Sequence, residues 1–198
     1  MTRLGAAVLV GLLALASCGT AVAQTEDGDG YVNGQKGTYR GRVLDAATGR
    51  PLAGVVVVAV WRRDRVVPLG NRSEHYAARE ALTNENGDWV VEATDLERGA
   101  PRRTRRPSFT IFLPGYGRPR EVAGTPNSPP WTFYEGAGHT IEMPRLNSKD
   151  DRLRHLDSVD PYNLSETPFT EIPELTRLFN QERVRFGLGP YPSSGRQQ

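Results

Sequence analysis

Short apolar or alternating runs, separated by turn residues, occupy the chain from residue 38 to residue 143. The strongest run is Val55–Trp61, which is apolar on both faces of a strand, so we expect it to be buried on both sides or covered by a flanking segment. Alternation predicts further strands at Thr38–Leu44, Tyr76–Thr83, Asp88–Glu92, Ser108–Leu113 and His139–Met143. Tyr76–Thr83 also suits a short helix, because Ala and Glu favour helix, but its position before a turn favours a strand.

Turns and loops separate these strands. Asn84–Gly87 predicts a hairpin turn, because Asn-Gly tolerates positive φ angles, and Asp88–Glu92 is then its returning arm. The polar segments Arg62–Glu74 and Leu96–Pro107 are predicted to be long loops, as is the Pro-, Asn- and Ser-rich stretch 124–130. Aromatic residues follow that last stretch and are expected to pack on the sheets: Trp131, Phe133 and Tyr134.

The composition changes to a helical pattern near Leu146. Ser148 is placed to cap a helix that runs to about Leu156, and Pro173 suits the first turn of a second helix. One face of that second helix is apolar, and Gly187 ends it. The stripe consists of Leu175, Leu178, Phe179 and Phe186. Such a stripe usually docks on its own domain, and a partner protein is the alternative.

The N-terminal residues predict export. Arg3 precedes the short apolar run Leu4–Ala16, and Leu15-Ala16-Ser17-Cys18 has the form of a bacterial lipobox, with Cys18 as the lipidated residue. Ala21-Val22-Ala23 before Gln24 is a competing site for ordinary signal peptidase. We therefore predict a signal peptide over residues 1–23 and, from its Gly-rich acidic composition, a flexible tether over residues 24–36.

Length and charge limit the remaining possibilities. The chain has 198 residues, so the part after the signal makes one domain with an appendage. A single cysteine rules out an intramolecular disulfide. The 25 Lys and Arg residues nearly balance the 23 Asp and Glu residues, and nucleic acid is therefore not an expected partner.

Several motifs between residues 37 and 146 are similar to those of the carboxypeptidase regulatory-like family. They are Gly41-Arg42-Val43-Leu44-Asp45, Thr48-Gly49-Arg50-Pro51-Leu52-Ala53-Gly54, Thr83-Asn84-Glu85-Asn86-Gly87-Asp88-Trp89 and Gly115-Tyr116-Gly117. The resemblance implies an all-β fold, a transthyretin-like (prealbumin-like, immunoglobulin-like) β-sandwich of about seven strands, followed by a short helical tail over residues 147–198. The tail motifs Ile172-Pro173-Glu174-Leu175, Asn180-Gln181-Glu182-Arg183 and Gly187-Leu188 also resemble those of a group of bacterial envelope proteins in which this domain follows a signal peptide and precedes a short helical tail.

The family name suggests a metallopeptidase, but the module accompanies a separate catalytic domain in true metallocarboxypeptidases, and we expect none here. His139-Thr140-Ile141-Glu142 has the His-x-x-Glu spacing of a zinc pair. On a strand, however, residues three apart point to opposite faces. A third ligand would have to be His75 or His155, and neither lies in a recognisable ligand pattern.

Asn84-x-Asn86-x-Asp88 matches the first ligand positions of a calcium loop. Trp89 stands where such a loop needs glycine, and the closing glutamate is absent. A plain turn is therefore the preferred interpretation.

Arginines are concentrated between residues 98 and 106, at Arg98, Arg102, Arg103, Arg105 and Arg106. This segment is either a solvated basic loop or a contact site for acidic envelope polymers or lipid headgroups. We treat it as a possible binding loop.

Together these patterns predict a non-enzymatic binding or scaffolding protein of the cell envelope. It would be a periplasm-facing outer-membrane lipoprotein without cofactor, whose partner is the membrane and an envelope protein or glycan. A soluble periplasmic or secreted protein is the alternative location. The alternative functions are a zinc peptidase or other hydrolase using His139 and Glu142, and an accessory subunit that docks through its C-terminal helix.

Overall fold

The computed structural model describes residues 31–32, 37–68, 70–121, 138–159, 164 and 166–191. The described strands are β1 Thr38–Asp45, β2 Val56–Val67, β3 Gly70–Leu82, β4 Asp88–Glu92, β5 Ser108–Phe112, β6 Arg120–Glu121 and β7 Gly138–Met143. The helices are α1 Thr94–Arg98, α2 Lys149–Ser158 and α3 Pro173–Arg185, with a 3-10 turn at Phe169–Glu171. Cys18 and the rest of the predicted signal peptide, the stretch 124–130 and the aromatic residues Trp131, Phe133 and Tyr134 lie outside the described residues.

The strands form two small sheets. One has the order β4-β1-β7-β6, and the other has the order β3-β2-β5. The β1–β7 pair is parallel, whereas the other strand pairs are antiparallel. Side chains from both sheets, including Val43, Trp89 and Ile141 from the first and Val57 and Phe109 from the second, form one apolar core. The fold is thus predominantly β, as predicted, and it is consistent with a β-sandwich.

Strand β2 is buried on both faces, which confirms the prediction for the Val55–Trp61 run. Val57, Ala59 and Trp61 point into the core between the sheets. Val56, Val58 and Val60 point to the other side and form a second core with the C-terminal helices. The flanking segment that covers this face is therefore the tail of the same chain.

The two tail helices begin and end where local rules place them. The Ser148 hydroxyl accepts a hydrogen bond from the backbone N–H of Asp151, at 3.0 Å, and so caps α2. Pro173 occupies the first turn of α3. Gly187 has φ +75° and ends the helix, with the N–H of Leu188 bonded to the carbonyl of Arg183.

The apolar stripe of α3 lies on the three-stranded sheet of its own chain. Leu175, Leu178 and Phe179 are buried against Val56, Val58 and Phe112. Phe186 is partly buried and packs against the same core.

The Asn84–Gly87 turn is tight, but the prediction that it joins a hairpin is wrong. Strand β4 pairs with β1 in the other sheet and not with β3. The flanks of the turn are bound to different sheets, since the N–H of Thr83 bonds to the carbonyl of Val55 and the carbonyl of Gly87 accepts from the N–H of Val43. The turn therefore carries the chain from one sheet to the other.

The prediction of a loop at Arg62–Glu74 is also wrong. Strands β2 and β3 continue through this segment as an antiparallel pair, from Arg62 opposite His75 to Val67 opposite Gly70. The register shifts between Trp61 and Arg62, where a β-bulge separates this outer part from the buried part. Because backbone pairing needs no apolar side chain, the polar composition did not indicate these strands. We call residues 62–74 the ribbon.

Candidate binding surface

The predicted arginine loop lies beside the ribbon, and the two segments together carry nine arginines. The N–H of Arg105 donates to the carbonyl of Arg62 at 2.7 Å, and the N–H of Asp64 donates to the carbonyl of Arg103 at 3.0 Å. Residues 62–74 and 98–106 contain only two carboxylates, those of Asp64 and Glu74. We call the nine residues the arginine surface: Arg62, Arg63, Arg65, Arg72, Arg98, Arg102, Arg103, Arg105 and Arg106.

Asp64 fastens the loop to the ribbon from a buried position. Its Oδ2 accepts hydrogen bonds from the Arg105 Nε at 2.9 Å and from the Tyr31 hydroxyl at 2.8 Å. The Arg105 guanidinium is the main reason that the pKa of Asp64 falls to about 2, with a further contribution from the Tyr31 hydroxyl, although burial opposes the shift. Arg105 is thus engaged in holding the fold together.

The N-terminal chain reaches the body of the protein at this place. Tyr31 forms an isolated β-bridge with Arg105, and the N–H of Val32 donates to the carbonyl of Thr104 at 2.7 Å. The Arg105 guanidinium lies over the Tyr31 ring, 5.8 Å from its centre. Tyr31 and Val32 belong to the segment predicted as a tether. They are the two apolar side chains of residues 24–36, so they gain most from packing on the body of the protein.

Helix α1, just before the arginine loop, is held by a buried carboxylate. Glu97 Oε1 accepts from the Tyr39 hydroxyl at 2.6 Å and from the Trp61 indole N–H at 2.9 Å. Gly37 passes so close to the Glu97 carboxylate that a Cβ at this position would overlap with it. Sequence reasoning missed Glu97, because its partners lie 58 and 36 residues away.

A hydrogen bond from Arg63 and the charges of Arg65 and Arg72 lower the pKa of one ribbon carboxylate, Glu74. Glu74 pairs with Arg63, and its Oε1 lies 3.5 Å from the Arg65 Nε. Arg65 stands directly opposite Arg72 in the strand register, and the Arg65 side chain is 64% exposed. Like charges directly opposite each other destabilise a strand pair. The ribbon therefore keeps a charge arrangement that folding alone does not favour.

Two apolar side chains are exposed near the tip of the ribbon. Val66 is 68% exposed and Val67 is 38% exposed. Arg65 and Arg72 follow directly behind these two valines. The exposed end of the ribbon thus combines an apolar tip with a positively charged flank.

The predicted binding-loop residues are placed as follows. Arg98, Arg102 and Arg103 are exposed, and Arg106 is half-buried. Arg105 is bound to Asp64. The structure adds Arg62, Arg63, Arg65 and Arg72. These four lie in the segment that was predicted to be an ordinary loop.

The alternative zinc pair is not convergent. His139 lies on the buried face of β7 with Ile141 and Met143, whereas Glu142 lies on the opposite face. His75 is on β3, with its Nε2 3.1 Å from Glu171 Oε2. Across the described ranges, no group of three His, Cys, Asp or Glu side chains is arranged to hold a metal ion.

His155, the other residue considered as a ligand, lies on α2 and stacks against Phe112, with ring centres 5.9 Å apart. Burial lowers its pKa to about 4, with a smaller contribution from the charge of Arg118. The imidazole is therefore neutral near pH 7.

The residues of the suspected calcium loop form hydrogen bonds that stabilise the turn. Asn84 Oδ1 accepts from the backbone N–H groups of Asn86, at 2.9 Å, and Asp88, at 3.0 Å. The Asp88 carboxylate pairs with the Arg42 Nε at 2.6 Å. These bonds fit a plain turn, which is the interpretation that the sequence favoured over a calcium loop.

A second polar cluster, built on Asp45, is likewise occupied by the fold. Its Oδ1 accepts from the N–H groups of Ala47 and Thr48, both at 3.0 Å, and its Oδ2 accepts from the Tyr116 hydroxyl at 2.9 Å. Burial raises the pKa of Asp45, but the Tyr116 hydroxyl and the two N–H groups outweigh it and hold the pKa below its usual value. The cluster fixes the turn after β1.

Comparison with protein-family models, with curated protein sequences and with solved structures finds no match to this chain. None of the helices in the described residues is long and apolar enough to cross a membrane. The arginine surface is therefore proposed as the candidate site from the positions of its own residues, without support from a related protein.

Proposed function

We propose that this protein is a non-enzymatic binding or scaffolding module of the bacterial cell envelope, a transthyretin-like β-sandwich anchored by lipid on Cys18, whose arginine surface binds an anionic ligand. The two-sheet architecture supports the fold assignment. The Asp45 turn supports it too, since Asp45, Thr48 and Tyr116 belong to the motifs that resemble the carboxypeptidase regulatory-like family.

One observation carries the binding proposal: the fold leaves Arg65 and Arg72 exposed and directly opposite each other. Such a pair costs stability in the free protein and is relieved when a negative charge lies between the two guanidinium groups. Local departures from folding rules are expected at functional sites.

The buried carboxylates support a binding role over an enzymatic one. Asp45, Asp64, Glu97 and Glu182 each accept hydrogen bonds from groups of the same fold. A general acid or base needs a carboxyl group that can reach a substrate. Because α3 buries its stripe on its own sheet, the accessory-subunit alternative has less support.

The anchor is tested by the intact mass of the protein purified from the membrane fraction of its own host, compared with a Cys18→Ala variant. We expect a chain that begins at Cys18 and carries acyl groups. A mass that fits a chain beginning at Gln24 would contradict the anchor and indicate a soluble exported protein.

Binding is tested with dextran sulfate, a soluble polyanion, at increasing salt. We expect the double variant Arg65→Gln, Arg72→Gln to bind more weakly than the parent protein. The matched control is Arg154→Gln, Arg177→Gln, which removes the same charge from the tail helices, where each arginine pairs with an acid three residues away. Equal loss in both double variants would show that only net charge matters and would overturn the site.

A further inference from the structure

We propose that the tip of the ribbon rests on an anionic phospholipid surface, with Val66 and Val67 at the acyl boundary and Arg65 and Arg72 at the headgroup phosphates. This inference rests on the proposed function, because it names the ligand of the arginine surface and uses the lipid anchor.

The first argument is the shape and chemistry of the tip. Scattered exposed apolar residues are ordinary, but Val66 and Val67 are adjacent, 68% and 38% exposed, and stand at the end of a two-stranded ribbon. The valine side chains gain free energy on entering an apolar phase, and the guanidinium groups behind them gain from phosphate. An element with an apolar end and a basic flank matches the layering of an anionic bilayer surface.

The second argument is where the N-terminal chain leaves the body. Tyr31 is bound to Asp64 of the ribbon, so the chain that leads to Cys18 departs from the ribbon itself. Tyr31 lies thirteen positions after Cys18. A fully extended chain of that length spans at most about 45 Å, so a lipid on Cys18 keeps the ribbon close to the membrane.

The third argument is charge. Arg65 and Arg72 repel each other in the free protein, and a surface with many phosphate groups satisfies both at once. A basic residue near such a surface contributes a factor of about five in affinity. A soluble anionic glycan would also satisfy the arginines, but it offers nothing to the two valines.

The test uses a polarity-sensitive fluorophore on the full protein carrying Val66→Cys. Both labelled proteins also carry Cys18→Ala, so that the introduced cysteine is the single cysteine of each chain and no lipid is attached. The labelled protein is mixed with vesicles of equal parts phosphatidylglycerol and phosphatidylcholine, and separately with phosphatidylcholine alone. The control carries the label at Val184→Cys, on α3, where the valine is 58% exposed. Thermal melting shows that both labelled proteins are folded.

We expect the label at position 66 to shift to the blue on the anionic vesicles and the label at position 184 to stay unchanged. Adding Arg65→Gln and Arg72→Gln should weaken vesicle binding of the chain that begins at Gln24 by about 25-fold. No shift at position 66, or equal shifts at both positions, overturns the proposal.

Dextran sulfate separates this failure from failure of the proposed function. If the polyanion binds through Arg65 and Arg72 while position 66 shows no shift on vesicles, the arginine surface is a binding site but the bilayer is not its ligand. If neither polyanion nor vesicles bind, the proposed function fails as well.

Discussion

The inner and outer halves of the β2–β3 pair differ in how their charged side chains are paired. The inner half is covered by the tail, and the Glu80 and Glu171 carboxylates at that contact have defined partners. Glu80 accepts from the N–H groups of Glu174 and Leu175, both at 2.8 Å, and Glu171 accepts from the N–H of Ala78 at 2.7 Å. The outer half is the ribbon, where arginines outnumber carboxylates and two of them stand opposite each other.

The contrast separates charges that build the fold from charges that are left available to a ligand. Burial raises the pKa of Glu80 at the tail contact, against the two N–H groups that oppose it. Both oxygens of Glu80 nevertheless accept hydrogen bonds from the tail, so neither is left for a partner. In the ribbon Asp64 is paired with Arg105 and Glu74 is paired with Arg63 and Arg65, but the arginines outnumber these two carboxylates.

The largest expected effect concerns the ion pair that joins α2 to α3. Arg152 Nε donates to Glu182 Oε1 at 2.6 Å, and its Nη2 donates to Oε2 at 2.7 Å, with Glu182 buried. Removing one partner by Arg152→Met or Glu182→Gln should lower the free energy of unfolding by about 3–5 kcal/mol, because a buried charge loses its counterpart. Urea unfolding measures the change.

The double variant Arg152→Met, Glu182→Met should recover most of that loss, because no buried charge remains. Arg154→Met is the control, since Arg154 is 72% exposed on the same helix and should cost less than about 0.5 kcal/mol. If both single variants lost less than about 1 kcal/mol of unfolding free energy, the paired charges of the tail would not stabilise the fold, and the tail would not differ from the ribbon in this respect.

The second effect concerns Glu97, which supports the arginine loop from the core. Glu97→Ala should cost about 2–5 kcal/mol, because the Tyr39 hydroxyl and the Trp61 N–H both lose their acceptor. Glu97→Gln keeps an oxygen at the same place and should cost much less. Thermal melting and tryptophan fluorescence measure both variants, and equal losses would show that the charge, not the acceptor, is what matters.

Local features of the fold could be predicted from the sequence because neighbouring residues determine them. The double-sided burial of β2, the Ser148 cap, Pro173 in the first turn of α3 and the end of that helix at Gly187 all follow from short patterns. Each depends on residues within a few positions of one another.

Features that depend on distant contacts could not be predicted. The pairing of β4 with β1 requires the Gly87 carbonyl to reach the N–H of Val43. Arg105 and Asp64 are 41 residues apart, and no spacing rule connects them. For that reason the sequence identified the five arginines between residues 98 and 106 and missed the four on the ribbon.

The third effect is a pH dependence at the contact between ribbon and loop. The pKa of Asp64 is about 2 in the folded protein, chiefly because of Arg105, and about 3.9 in an unfolded chain. Since the folded value is the lower one, the stabilisation is complete above about pH 4 and is lost as pH falls toward 2.

Arg105→Gln should reduce that acid sensitivity and cost about 1–2 kcal/mol at pH 7, where the contact is intact. Urea unfolding at a series of pH values measures both effects. An unchanged acid slope would show that Arg105 is not what lowers the pKa of Asp64.

The smallest effect on stability is the sharpest test of the comparison, because the two regions predict opposite outcomes for loss of an arginine. Arg72→Gln removes the charge opposite Arg65, so the free energy of unfolding should stay within about 0.5 kcal/mol of the parent or rise slightly. Binding of dextran sulfate should nevertheless fall severalfold. Arg154→Gln serves as the control and should leave binding close to that of the parent. A loss of more than about 1 kcal/mol in Arg72→Gln would make this arginine part of the fold, as Arg152 is, and the ribbon would no longer differ from the tail contact.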